Sequence, residues 1–194
     1  MHTVPPTAGA ADGVSPHLLL VDDEEMNRDM LSRRLAKVGY RVTTAASGRE
    51  TLEQLAQAPF DLVLLDIQMP GMSGLEVLDA IRANDVTSRV PVIMVTARTQ
   101  SDDIVAALDR GANDYVTKPV DLAVALARIR TQLARRTAEL RLVESEERYA
   151  LAVQGSNDGL WDWKIATDEA YFSPRCRAIM GIDAGDAPPT ISAD

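Results

Sequence analysis

Five short strand-like runs recur along the first part of the chain: Leu18-Leu19-Leu20-Val21, Arg41-Val42-Thr43-Thr44, Leu62-Val63-Leu64-Leu65, Val92-Ile93-Met94-Val95 and Tyr115-Val116-Thr117. The first, third and fourth are apolar at consecutive positions, as expected of strands covered on both faces and hence of a parallel sheet. Helical patterns lie between them, and their ends carry recognisable chemistry. Ser47-Gly48-Arg49-Glu50 and Ser73-Gly74-Leu75-Glu76 both fit a reciprocal capping box, in which a hydroxyl and a carboxylate satisfy free N–H groups of the first turn. Gly39 and Gly111 follow helical stretches, where a residue without Cβ turns left-handed and closes the helix. The alternation predicts an α/β fold.

From Asp121 the period changes. Leu122, Leu126, Ile129, Leu133, Leu140, Val143 and Ala150 fall at spacings of three and four, interrupted by Arg136 and Glu147. This is a heptad stripe. An unbroken helix from Asp121 to about Gln154 would be roughly 50 Å long, more than a core of this size covers, so its distal half is expected to pair with a second copy. A solvated linker bearing Arg135, Arg136, Glu144, Glu146 and Glu147 is the alternative. Composition shifts near Tyr149: Ser156 to Asp194 holds both tryptophans and three of the ten prolines.

A chain of 194 residues accommodates one full core and a remnant. Apolar residues at 46% and charged residues at 25% are ordinary for a globular protein. A net charge of −9 argues against a general nucleic-acid surface, which needs positive charge to displace counterions. The single cysteine, Cys176, admits no internal disulfide and reads as a packing residue in a reducing compartment. Met1 to Pro16, rich in Ala, Pro, Gly and Thr, reads as a flexible tail and not as a secretion signal. No run approaches the roughly 18 apolar residues of a membrane span, so the expected location is cytoplasmic, with no membrane and no nucleic-acid partner.

Asp22 and Asp23 follow the first strand and Asp66 follows the third, so in a parallel sheet all three carboxylates emerge at the strands' carboxyl ends, where α/β sheets bind ligands. Crowded carboxylates repel one another and call for a hard divalent cation. Mg²⁺ fits, because it takes one or two carboxylates and keeps positions open for water and phosphate oxygens. Phosphoryl transfer needs an in-line nucleophile and neutralisation of the equatorial oxygens, and Asp66 can be that nucleophile. Thr96 and Lys118 end the fourth and fifth strands at the same edge, where a hydroxyl and an ammonium can reach phosphate oxygens. Taken singly, each has a plainer reading: aspartates after strands cap helices, Thr96 caps a loop, Tyr115 fills core. Lys118, between a buried strand and a proline, is best explained as balancing the carboxylates.

Val21-Asp22-Asp23-Glu24, Asp66-Ile67-Gln68-Met69-Pro70-Gly71-Met72-Ser73-Gly74, Thr96-Ala97 and Asp114-Tyr115-Val116-Thr117-Lys118-Pro119 together resemble the bacterial two-component response-regulator receiver family, over about Leu18 to Leu133. The resemblance implies a flavodoxin-like five-stranded parallel sheet with helices on both faces. It also implies that Asp66 accepts a phosphoryl group from a histidine kinase or phosphotransfer protein. Asp23 would then ligate Mg²⁺ directly, Asp22 largely through water, and the Gln68 carbonyl would add a ligand. The Lys118–Pro119 bond would be cis, and Thr96 with Tyr115 would form a switch.

Tyr149 to Trp163 and Tyr171-Phe172-Ser173-Pro174 resemble the opening of a PAS sensory domain, an incomplete α+β segment. The expected layout is a tail at 1–16, a receiver at 17–133, a helical linker at 134–150 and a PAS-like segment at 151–194. The two tryptophans read as core packing before ligand binding. Such chains resemble regulators that end in cyclic di-guanylate cyclase or phosphodiesterase domains; a hybrid histidine kinase is the alternative, although His2 and His17, the only histidines, lie outside the long helix. An aspartate-nucleophile phosphatase needs an Asp two residues beyond its nucleophile, where this chain has Glu24 after Asp22 and Gln68 after Asp66. A DNA-binding regulator is weaker still, for want of a helix-turn-helix pattern after the receiver.

Overall fold

The computed structural model describes residues 15–97, 101–156, 158–167 and 169–181. Apart from Ser15 and Pro16, the tail expected at 1–16 lies outside the described residues, as do residues 182–194 of the PAS-like segment. The chain divides into two compact units, Met1–Ala138 and Glu139–Asp194.

In the first unit, strands β1 (His17–Val21), β2 (Arg41–Ala45), β3 (Leu62–Asp66), β4 (Val92–Thr96) and β5 (Asp114–Thr117) alternate with helices α1 (Glu25–Lys37), α2 (Gly48–Gln57), α3 (Gly74–Ala83), α4 (Ser101–Asp109) and the first half of α5 (Leu122–Ser156), which runs on past Ala138. All strand pairs are parallel, in the order β2-β1-β3-β4-β5. This is the α/β fold that the alternation predicts, in the flavodoxin-like form that the resemblance implies. Side chains alternate between two cores along each central strand. Leu19, Val21, Val63, Leu65, Val92 and Met94 pack with Leu55 of α2, Val77, Leu78 and Ile81 of α3 and Ala107 of α4. Leu18, Leu20, Leu62, Leu64, Ile93 and Val95 pack with Leu31 and Leu35 of α1 and Leu126, Ile129 and Leu133 of α5. Both parities being buried explains the unbroken apolar runs, since each such side chain contributes about 1.5–3 kcal/mol on burial.

The helix boundaries fall close to their expected places. Ser73 and Glu76 complete the reciprocal box. The other box is displaced by one residue: Ser47 caps Glu50 N–H, but the Glu50 carboxylate accepts from Ala46 N–H, not from Ser47. Gly39 and Gly111 take φ of 98° and 93°. Asp121 caps α5 by accepting from Ala123 N–H at 2.7 Å and Val124 N–H at 3.2 Å. Arg136, which interrupts the heptad stripe, donates from Nη1 to the Phe60 and Asp61 carbonyls, 2.8 Å each, just before β3. Beyond it Leu140 and Val143 are exposed. No helix among the described residues is long and apolar enough to cross a membrane.

In the second unit, β6 (Trp161–Lys164) and β7 (Glu169–Phe172) form an antiparallel hairpin followed by α6 (Pro174–Met180), capped by Ser173. Phe172 and Cys176 are buried, whereas Trp161, whose plainer sequence reading was core packing, is 55% exposed. Among the described residues the hairpin is a sheet of two strands, too small to enclose a core of its own.

At the opposite end of the sheet from Asp66, the Arg82 guanidinium donates to the carbonyls of Gly111, Ser88 and Val90 and to Asn113 Oδ1, at 2.8–2.9 Å. Arg82→Ala takes this donor from the three carbonyls, while Asn113 Oδ1 keeps the Val92 N–H. We expect a loss of about 3 kcal/mol of unfolding free energy, measured by urea denaturation, with the fold retained.

Candidate functional site

The strand order reverses between β1 and β3, and the two strands end side by side, Val21 opposite Leu65. The next residue of the first is Asp22 and the last of the second is Asp66, so the pair stands in the crevice at the topological switch point. Both are nearly inaccessible, at 5% and 2% exposure, while Asp23 is exposed. One carboxylate oxygen from each of Asp22, Asp23 and Asp66 lies within 4.8 Å of the others. An all-oxygen donor set, open on one side, suits a hard divalent cation.

Lys118, just beyond β5, places Nζ 2.7 Å from Asp22 Oδ2 and 2.5 Å from Asp66 Oδ2. Its peptide bond to Pro119 is cis, as the sequence resemblance implies. Burial opposes the lysine's charge, but its hydrogen bonds and attraction to the two carboxylates outweigh that and raise its proton affinity. Burial raises the Asp66 pKa, only partly countered by the hydrogen bonds from Lys118 and from Gln68 N–H at 3.1 Å. The Gln68 side chain is exposed.

Thr96 ends β4 one residue beyond Val95, the register partner of Asp66, and is buried. Met94 pairs with Tyr115 and Thr96 with Thr117, so Thr96 and Tyr115 share a face of the sheet two positions apart. Tyr115 is half-buried, with the Arg128 guanidinium carbon 5.2 Å from its ring centroid and Arg128 paired to Asp114. The structure thus brings Asp22, Asp23, Asp66 and Lys118 into one constellation, and sets Tyr115 apart against α5.

Three residues at the site escaped the sequence reading of roles. Asn27 Nδ2 donates to Glu24 Oε2 at 3.0 Å and approaches both oxygens of Asp22. Arg28 Nη1 donates to the carbonyls of Asp22 and Asp23. Gly74 runs so close to β3 that a Cβ there would lie 2.0 Å from the Asp66 carbonyl oxygen, which only glycine permits. No regular spacing marks Asn27 or Arg28, whose contacts reach back three to six residues across the turn that precedes α1.

Residues 18–130 match the family described as response regulator receiver domain. The chain belongs to that family. A receiver domain of Methanospirillum hungatei superposes with a TM-score of 0.61 at 31% identity, covering 65% of this chain and 99% of that one. The chemotaxis protein CheY4 of Vibrio cholerae gives 0.57 at 34% identity, covering 60% and 99%. The transcriptional regulatory protein YkoG of Bacillus subtilis is 49% identical over 117 residues, 60% of this chain and 50% of YkoG. A probable cyclic di-GMP phosphodiesterase of Vibrio cholerae is 40% identical over 148 residues, 75% of this chain and 33% of that protein. The chain spans about half the length, or less, of these curated relatives. Receivers of two-component response regulators are phosphorylated on an aspartate, interact with histidine kinases or phosphotransfer proteins, and bind Mg²⁺ in an acidic pocket; the receiver here carries such a pocket in Asp22, Asp23 and Asp66.

The raised proton affinity of Asp66 has a definite sign in stability. A carboxyl whose folded pKa exceeds its unfolded value favours the fold at low pH and loses that contribution as pH rises through the folded pKa. Asp66→Asn removes the loss. Without divalent cations, this variant of the receiver should melt at a higher temperature than wild type at pH 7, the difference vanishing below the ordinary aspartate pKa of about 3.9. Thermal melts across pH read it out.

Proposed function

We propose that Asp66 is the phosphoacceptor of a phosphorelay receiver. The carrying observation is a carboxylate at 2% exposure, bonded to Lys118 and to the Gln68 amide, within reach of two further carboxylates. An Asp66 oxygen attacks phosphorus in line as the phosphorus–nitrogen bond of a kinase phosphohistidine breaks; the imidazole departs and a mixed anhydride forms. Asp22, Asp23, Asp66 and the Gln68 carbonyl would hold Mg²⁺, which when bound neutralises charge on the phosphoryl oxygens. Lys118 supplies a second positive charge and Thr96 a hydroxyl donor to those oxygens. Drawing Thr96 towards the phosphoryl group frees space on the face it shares with Tyr115, and the ring follows.

The proposed layout is a tail at 1–16, a receiver at 17–133, a helical linker at 134–150 and the start of a PAS-like domain at 151–194, acting in the cytoplasm. Continuity of α5 from Leu122 to Ser156 supports the linker. A hairpin followed by a short helix is compatible with the PAS reading. For output we favour cyclic di-guanylate turnover. The match to the probable phosphodiesterase of Vibrio cholerae is longer than the receiver itself and so takes in part of the linker or tail. We further propose a homodimer through the distal half of α5, where Leu140 is 58% and Val143 40% exposed.

Incubation with acetyl phosphate and Mg²⁺ should add the mass of one phosphoryl group, seen by intact-mass analysis, and Asp66→Asn should abolish the adduct. Retention of the adduct in that variant refutes the assignment. Replacing Leu140 and Val143 together by Asp should shift sedimentation to monomer while phosphorylation persists; an unchanged dimer places its interface elsewhere.

A further inference from the structure

We infer that Arg28 is a positioning residue for the divalent-cation site, holding the turn between β1 and α1 so that the Asp22 and Asp23 carboxylates converge on Asp66. This rests on the reading of Asp66 as a Mg²⁺-assisted phosphoacceptor and adds a residue to it. Arg28 Nη1 donates to the Asp22 carbonyl at 2.6 Å and to the Asp23 carbonyl at 2.9 Å. Two successive carbonyls drawn to one cationic nitrogen point to the same side, which fixes the peptide between them and the directions in which both side chains leave the main chain. Other tethers hold the neighbouring groups: Asp22 N–H donates to the Ala45 carbonyl at 3.3 Å, and Glu24 N–H to Asp22 Oδ1 at 2.9 Å. Lys118 fixes Asp22 and Asp66 through their carboxylates. Asp23, the exposed member of the three, is held by Arg28 through its main chain.

The guanidinium is also a positive charge beside an acidic pocket, and this gives the inference a definite sign. If charge were its whole effect, removing Arg28 would make the pocket more negative and strengthen cation binding. If it positions the ligands, removal loosens the turn and weakens binding. Partners of metal ligands typically contribute 10–100-fold in affinity. Nη1 holds its two N–H bonds in the fixed plane of the guanidinium, whereas the shorter lysine ends in a freely rotating ammonium, so lysine should substitute only in part.

The test is calorimetric titration of the full chain with Mg²⁺ alone, for wild type, Arg28→Met and Arg28→Lys, with far-ultraviolet circular dichroism of each. Arg28→Met should raise the Kd for Mg²⁺ by about tenfold or more. Its rate of phosphorylation by acetyl phosphate at saturating Mg²⁺ should fall far less than its affinity, and Arg28→Lys should bind with intermediate affinity. A folded Arg28→Met whose Kd is unchanged or lower overturns the inference while leaving the phosphoacceptor reading intact. Should Arg28→Met not fold, Arg28→Lys decides: weaker binding than wild type supports the role, and equal binding overturns it. Wild type that takes up no Mg²⁺ overturns both readings.

Discussion

Asp22 and Asp66 end adjacent strands with almost no access to water, and the Lys118 ammonium between them carries the charge that makes this tolerable. A lone buried carboxylate neutralises itself by taking a proton; two side by side repel as well. The lysine meets part of this demand, yet Asp66 keeps a raised proton affinity. Its environment is thus under-compensated. An edge with residual negative charge, converging oxygens and an open side is suited to admit further positive charge, and with it an anion that the protein alone would repel.

The sheet makes this constellation possible by being buried on both faces. Because each strand feeds its alternate residues into two separate cores, the polar residues are displaced to the strand ends, and parallel pairing gathers those ends on one edge. Gly74 shows how closely the next layer fits, with α3 beginning in van der Waals contact with the main chain of Asp66. The opposite edge is closed by main-chain acceptors satisfied by two arginines, Arg82 and Arg136.

What the sequence revealed and what it hid divide along physical lines. Consecutive apolar residues report burial, and burial sets strand identity, so all five strands and the convergence of Asp22, Asp23, Asp66 and Lys118 could be read directly. Arg28 and Asn27 were not legible as site residues, because their contacts depend on the path of the turn after β1, which no periodicity encodes. Glu50 took the amide of Ala46 and not that of Ser47, a choice between neighbouring donors made by local backbone angles. Trp161 was misjudged because side-chain size reports the tendency to be buried, whereas actual burial requires a layer to lie against.

The stacking of Arg128 on Tyr115 bears on how a receiver of this design rests. In the switch proposed above, the ring must leave its present place, and leaving forfeits a cation–π contact at an accessible site, about 0.5–1 kcal/mol. That alone biases the resting ensemble roughly two- to fivefold towards the ring's present position. Arg128 is further held by Asp114, next to Tyr115 in the chain, so the stack is braced from its own strand. The background level of spontaneous activation would then be set, in part, by a residue that never meets the phosphoryl group.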